Sequence, residues 1–149
     1  MVSIFSGHAA HEVEAALAAA GVDGPVAVLG DLRLARRLAG AGRDVVCVAA
    51  VARSLRRARV PAVAGLPAAL PLASGRLAAL VASGLAQTEP WEPLLAEWCR
   101  AVAPGGLVIV VDRGAPAELS RRALCGGLSA VEQRAAGRTL ITAGRWHPL

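Results

Sequence analysis

Short apolar runs alternate along the chain with stretches in which apolar residues recur at helical spacing. A continuous apolar run bounded by turn residues is typical of a parallel strand that is covered on both faces. The runs of this kind are "PVAVLG", "DVVCVAA", "LAALVA" and "LVIVV". They predict the buried strands of a parallel sheet, with the first of them in a central position.

The stretches between these runs have helical periodicity. Ala10, Val13 and Leu17 share one face of a helix predicted over 8–20, which Gly21 ends. A second helix is predicted over 32–39, with leucines on one side and arginines on the other. Further helices are predicted over 51–59, from a Thr88 cap to about residue 102, and over 116–124.

The last part of the chain has a different pattern. "PGG" predicts a turn before the strand "LVIVV", and the runs "SAVEQRAA" and "RTLITAGRW" are separated by Gly137, which predicts an antiparallel hairpin. Strands that alternate with helices predict right-handed crossovers. The fold class is therefore α/β, a doubly wound, Rossmann-like and mostly parallel sheet with a C-terminal antiparallel hairpin.

Length and composition narrow the class of protein. A chain of 149 residues fits one domain, which we place at 1–149, with a helical lead-in over 1–22 and the core over 25–145. With 55% hydrophobic and 18% charged residues, the chain is not of the disordered class. Its apolar runs are shorter than the roughly 18 to 20 residues of a membrane span. The N-terminus does not read as a signal peptide, so we expect a cytoplasmic protein.

The charge pattern indicates which classes of partner the chain could bind. The net charge is +5, and the basic residues are all arginine. Arg53, Arg56 and Arg57 form a positive stripe, which is either a solvated face or a contact for an acidic protein surface. A protein partner or a homo-oligomer is expected, and Trp91, at the start of a predicted helix, could anchor a partner. Nucleic-acid binding is a weaker hypothesis, because the chain has no recognised motif for it.

Other candidate chemistry has little support. Cys47, Cys99 and Cys125 have no metal-binding spacing and are expected to be buried thiols. The order "HAAHE" at His8 and His11 does not match a metalloprotease helix, so a solvated helix face is expected and no metal site. No serine stands in a GxSxG turn.

Three longer stretches resemble the class I S-adenosylmethionine-dependent methyltransferases, in particular those that act on small molecules. "LPAALPLASGRLAALVASG" is similar to that family's loop and fourth strand, and "LLAEWCRAVAPGGLVIVVDRG" to its helix, Pro-Gly-Gly turn and fifth strand. "LCGGLSAVEQRAAGRTLITAGR" resembles the family's ending. The order and spacing of these stretches imply the methyltransferase fold over residues 25–145.

The same resemblance implies where a cofactor would lie, and the residues there depart from the family. Gly30 matches the first glycine of a loop that normally has three, but Asp31 and Leu32 follow it and the later glycines are missing. The acid that normally ends the second strand corresponds to Ala49, with Ala50 beside it. Asp31 either reaches the cofactor's amino group or caps the following helix, and the second is favoured.

Two further acidic positions of the family are apolar in this chain. Leu66 stands where an aspartate commonly lies near the adenine, and Ala78 stands where one precedes the fourth strand. Ser83 and Gln87 could contact a ligand in the remaining cleft, or simply be polar loop residues. "SGLAQTEP" lacks the Asn/Asp-Pro-Pro-aromatic loop of members that methylate planar amino groups.

These departures favour one functional hypothesis and leave a second open. The first is a methyltransferase-fold protein that has lost ordinary cofactor binding and acts as a non-catalytic scaffold, regulatory or heteromeric subunit. The alternative is an active methyltransferase on a small molecule that binds S-adenosylmethionine through a rebuilt loop around Gly30 and Asp31. The sequence leaves open whether the chain is an enzyme and identifies no catalytic residue.

Overall fold

The computed structural model describes residues 7–50, 57–85 and 91–149, and Trp91 by its backbone alone. The described residues form one seven-stranded sheet in the order β3-β2-β1-β4-β5-β7-β6. The strands are β1 Val26–Leu29, β2 Val45–Ala49, β3 Ala62–Ala64, β4 Leu77–Ser83, β5 Val102–Asp112, β6 Leu128–Ala136 and β7 Thr139–Trp146. The helices are α1 Gly7–Ala19, α2 Leu32–Gly40, α3 Trp91–Ala101 and α4 Pro116–Cys125.

The sheet confirms the predicted α/β class. Strands β1 to β5 pair in parallel, β7 is antiparallel to both β5 and β6, and β1 lies inside the sheet. All four residues of β1 are buried, as expected for a strand with helices on both faces. The C-terminal hairpin turns at Gly137, whose φ of 62° is a conformation that glycine adopts without steric cost.

The helices form two layers, one on each face of the sheet. Helices α1 and α2 place Val13, Leu17, Leu34 and Leu38 in the apolar core of one face. Helices α3 and α4 supply the core of the other face, where Trp98 is the largest fully buried side chain. The sheet therefore has the two covered faces that the apolar runs predict.

The Pro-Gly-Gly segment differs from its prediction. The structure has a bulge there, inside β5: Val102 pairs with Leu77, but Leu107 already pairs with Ala79, so the β5 side of the ladder contains extra residues. The bulge requires glycine at position 106, because a Cβ there would lie 2.3 Å from Cγ1 of Val102. The chain thus passes from α3 into β5 without a separate turn.

Some predictions concern residues outside the described ranges. The residues concerned are Arg53, Arg56, Gln87, Thr88 and most of the helix predicted over 51–59. Among the described residues, no helix is long and apolar enough to cross a membrane.

Candidate functional site

Six of the residues singled out from the sequence lie at the carboxyl edge of the parallel strands. Leu29, at the end of β1, pairs with Val48 of β2 and Ala82 of β4, so these strands end side by side. Ligands of open α/β sheets bind at this edge. The residues that finish or follow the strands there are Gly30, Asp31, Ala49, Ala50, Leu66 and Ser83, which we call the edge residues.

Asp31 is held by contacts within the protein. It is 7% exposed, and its Oδ1 accepts a hydrogen bond of 3.0 Å from the backbone N–H of Leu34. Its Oδ2 accepts a second hydrogen bond, of 3.1 Å, from the hydroxyl of Ser83. Asp31 is therefore the N-cap of α2, the role that the sequence favoured, and each of its carboxylate oxygens already has a donor.

Ser83 lies in the sheet and not in the loop that was expected after the fourth strand. The structure places it at the end of β4, where it is 2% exposed. Its hydroxyl donates to Asp31, so this polar side chain joins the end of β4 to the start of α2. Sequence reasoning missed this partner, since the two residues lie 52 positions apart.

Gly30 forms the turn between β1 and α2 and has little room around it. Its φ is +79°, which favours glycine. A Cβ on Gly30 would lie 3.2 Å from the carbonyl oxygen of Ser83 and 3.4 Å from Cδ2 of Leu85. The Gly30 N–H donates to the carbonyl of Val48 at 3.1 Å. The turn is packed against the ends of both neighbouring strands.

The loop that follows β3 packs back against the strand ends. A Cβ on Gly65 would lie 2.5 Å from Cδ of Pro71 and 3.2 Å from Cγ1 of Val48. Leu70 is buried in the core shared with α3, whereas Leu66 is 58% exposed. The proline ring thus occupies the space beside Gly65 at this edge.

Polar side chains of α3 fix the same loop. Glu97 accepts a hydrogen bond of 2.7 Å from the N–H of Leu70 and forms an ion pair of 2.6 Å with Arg100. The hydrogen bond from Arg100 holds the pKa of the Glu97 carboxyl below its ordinary value. Arg100 also donates to the carbonyls of Leu70 and Leu72, and Trp98 donates to the carbonyl of Pro67 at 3.1 Å. These contacts tie the loop to α3 along most of its length.

The remaining edge residues have no side-chain hydrogen-bonding group. Ala49 ends β2 and is half-buried, Ala50 is exposed, and the side chain of Leu66 is apolar. Nearby Cys47 is buried, and burial, with the Asp31 carboxylate adding to it, raises the pKa of its thiol. A protonated, buried thiol is not a nucleophile. These residues offer apolar surface and backbone groups.

The structure corrects two expectations. Ala78 lies near the amino end of β4, where its N–H donates to the carbonyl of Pro25, so it is at the edge opposite the candidate site. An acid missing at Ala78 therefore has no bearing on the carboxyl edge. Cys125 is exposed at the end of α4, whereas Cys47 and Cys99 are buried as expected.

An arginine face lies on the outside of α2. Arg33 and Arg37 are exposed there, and Arg57 and Arg59 are exposed in the segment before β3. Arg36 joins the two parts, because its guanidinium donates to the carbonyls of Ala58 at 2.8 Å and Arg57 at 2.6 Å. Of the predicted arginine stripe, Arg57 belongs to this face.

Three solved structures are similar to the chain over nearly its whole length. The glycopeptide N-methyltransferase MtfA in complex with S-adenosylmethionine has a TM-score of 0.78 at 14% identity, with 97% of this chain and 96% of that chain covered. A Haloferax volcanii methyltransferase in complex with the Trm112 methyltransferase activator has a TM-score of 0.77 at 15% identity, with 93% and 90% covered.

The third is the 1,6-didemethyltoxoflavin-N1-methyltransferase of Burkholderia thailandensis with bound S-adenosylhomocysteine, with a TM-score of 0.77 at 17% identity and 94% and 79% covered. No protein-family model matches the sequence, and no curated protein matches it. The similarity lies in the order and packing of strands and helices. The chain has the fold of the class I S-adenosylmethionine-dependent methyltransferases.

Proposed function

We propose that this chain keeps the methyltransferase fold without ordinary binding of S-adenosylmethionine, and that it acts as a non-catalytic scaffold, regulatory or heteromeric subunit. The observation that carries the proposal is the position of Asp31. This acid is buried, caps α2 and accepts the hydroxyl of Ser83, so a ligand would have to displace contacts that stabilise the fold. A buried acceptor that loses its donor is costly to the folded state.

The other edge residues support the proposal because they do not fit the cofactor's polar groups. The ribose hydroxyls are normally held by an acid at the end of the second strand. Ala49 and Ala50 stand at that place. Pro71 and Leu85 approach the strand ends from either side, next to Gly65 and Gly30.

The missing acid has a large expected effect on the free energy of cofactor binding. Each hydrogen bond to a charged acceptor contributes about 1.5–3 kcal/mol. Without the acid that holds two ribose hydroxyls, binding is weaker by about 3–6 kcal/mol, or roughly 10²- to 10⁴-fold. The missing glycines of the loop after β1 weaken it further.

The alternative is an active methyltransferase on a small molecule. Its support is that similar structures contain S-adenosylmethionine or S-adenosylhomocysteine. Gly30 also keeps the positive φ of a tight turn at the end of β1. Under this alternative, backbone groups around Gly30 and Asp31 hold the cofactor in place of the missing side chains.

Calorimetric titration of the full chain with S-adenosylmethionine distinguishes the proposed non-catalytic role from the active methyltransferase. We expect no saturable heat up to about 1 mM cofactor, which corresponds to a binding free energy weaker than about 4 kcal/mol. The Ala50→Asp variant supplies a carboxylate at the exposed end of β2 and serves as a matched comparison. Micromolar affinity of the unaltered chain would overturn the proposal.

The proposed role requires a partner, and the arginine face is its expected contact. One similar structure is a methyltransferase bound to an activator protein, so the fold accommodates a protein partner. An acidic surface would complement Arg33, Arg37 and Arg57. An Arg33→Glu/Arg57→Glu variant should weaken capture of a stoichiometric partner from the native organism.

An Arg76→Glu/Arg138→Glu variant changes the net charge equally at exposed positions elsewhere, and it is the matched control. An equal loss of partner capture in both variants would argue against the arginine face as the specific contact. Captured material that is nucleic acid, released steeply as salt rises, would support the nucleic-acid hypothesis instead.

A further inference from the structure

Strand β6 lies at one end of the sheet and has an open outer side in the part of the chain that the structure describes. Its partner is β7, to which it is joined by the two-residue turn Gly137–Arg138. In such a hairpin the residues flanking the turn exchange hydrogen bonds, and the pairs then alternate along the ladder. Arg134 and Glu132 therefore bond to β7, whereas Gln133 and Ala135 direct their N–H and C=O groups outward.

A bulge limits the part of β6 that can pair further. The register shifts between Ser129 and Glu132, and Ala130 has a φ of 50°. The regular stretch that follows runs from Glu132 to Ala136 and contains two residues with outward backbone groups, Gln133 and Ala135. An antiparallel second copy of this strand can pair with Gln133 opposite its own counterpart, because both residues direct their backbone groups outward.

The side chains on this stretch are self-complementary in that register. Glu132 is exposed and has no ion pair among the described residues, and Arg134 forms a long ion pair of 3.8 Å with Glu12. With Gln133 at the two-fold axis, Glu132 of each copy lies directly opposite Arg134 of the other. Moving the two-fold axis from Gln133 to Arg134 would instead place Arg134 opposite Arg134, which is unfavourable.

We propose that two copies of the chain associate through β6, pairing antiparallel about Gln133 with two Glu132–Arg134 ion pairs, and so join their sheets into one. An edge strand with free backbone groups is a template for this pairing. The occupant is a second copy because the charges of the stretch complement themselves. The inference is independent of whether the carboxyl edge binds S-adenosylmethionine.

Sedimentation equilibrium of the full chain at protein concentrations of about 1 to 100 µM tests the association. We expect a monomer–dimer equilibrium for the unaltered protein. Glu132→Arg alone and Arg134→Glu alone each place like charges across the axis, and each should weaken dimerisation at least about tenfold. The double variant with both exchanges restores opposite charges and should return to within about threefold of the unaltered value.

Further variants keep the test valid if a charge reversal impairs folding. Gln133→Pro removes the outward N–H at the two-fold axis without removing a backbone bond to β7, so it should abolish the dimer and leave the circular dichroism spectrum unchanged. Arg138→Glu makes the same charge change as Arg134→Glu outside the paired stretch and should leave the dimer intact. A monomer at all concentrations, or a dimer that the single reversals do not weaken, would overturn the proposal.

Discussion

Asp31→Ala is the most informative single substitution, because Asp31 belongs to the candidate site and also stabilises the fold. Its two carboxylate oxygens accept from Leu34 N–H and from the hydroxyl of Ser83. If the contacts seen in the structure describe its role, removing the carboxylate should reduce stability. If its role were to hold a ligand, stability would change little.

The expected magnitude follows from these two contacts. Loss of an N-cap side chain costs about 1 kcal/mol, within a range of roughly 0.5–2. Ser83 is 2% exposed, so its hydroxyl is left without an acceptor, which costs about 1–3 kcal/mol more. The sum is about 2–4 kcal/mol. For a chain of this size each kcal/mol lowers Tm by about 2–4 °C, so Tm should fall by roughly 4–16 °C.

Urea unfolding followed by circular dichroism measures the effect. Asp31→Asn is the control, because asparagine caps helices as well as aspartate does and its amide can donate to the Ser83 hydroxyl. It should cost less than about 1 kcal/mol. Asp31→Ala combined with Ser83→Ala removes both partners and should cost less than the sum of the two single changes. A cost below about 0.5 kcal/mol for Asp31→Ala would refute the reasoning.

Three further predictions use the same folded protein. Gly65→Ala places a Cβ 2.5 Å from the rigid ring of Pro71, so unfolding in urea should show a loss of about 1–3 kcal/mol. Glu97→Gln should cost roughly 0.5–1 kcal/mol at pH 7. Since the pKa of Glu97 is lowered in the folded state, this difference should shrink as pH falls below the ordinary value of 4.5. At pH 8 a thiol reagent should label Cys125 alone, because the other two cysteines are buried and burial raises their pKa.

Most of the fold could be predicted from local patterns. The run "PVAVLG" becomes β1 because a continuous apolar segment requires cover on both faces, and the structure supplies it. Asp31 could be identified as a cap because aspartate before an amphipathic segment satisfies a free N–H of the first turn. Gly137 marks the hairpin because the turn requires a positive φ.

The contacts that decide the chemistry could not be predicted in this way. The bond between Ser83 and Asp31 depends on β1 and β4 being neighbours in the sheet, which the order of strands along the chain does not give. Ala78 was expected to bear on the cofactor site, but the direction of β4 places it at the other edge. Pro71 is positioned beside Gly65 by the α3 contacts of its loop, and these also join residues distant in sequence.

The contacts at the carboxyl edge also stabilise the fold. A functional ligand site normally keeps polar groups without internal partners, which costs folding free energy. In this protein Asp31 accepts a hydrogen bond from Ser83. The loop after β3 is hydrogen-bonded to Glu97 and Trp98 of α3. If the proposed function is correct, a cofactor site at this edge would require breaking these contacts as well as supplying an acid at Ala50. A single substitution at this edge should therefore change stability more readily than it changes ligand binding.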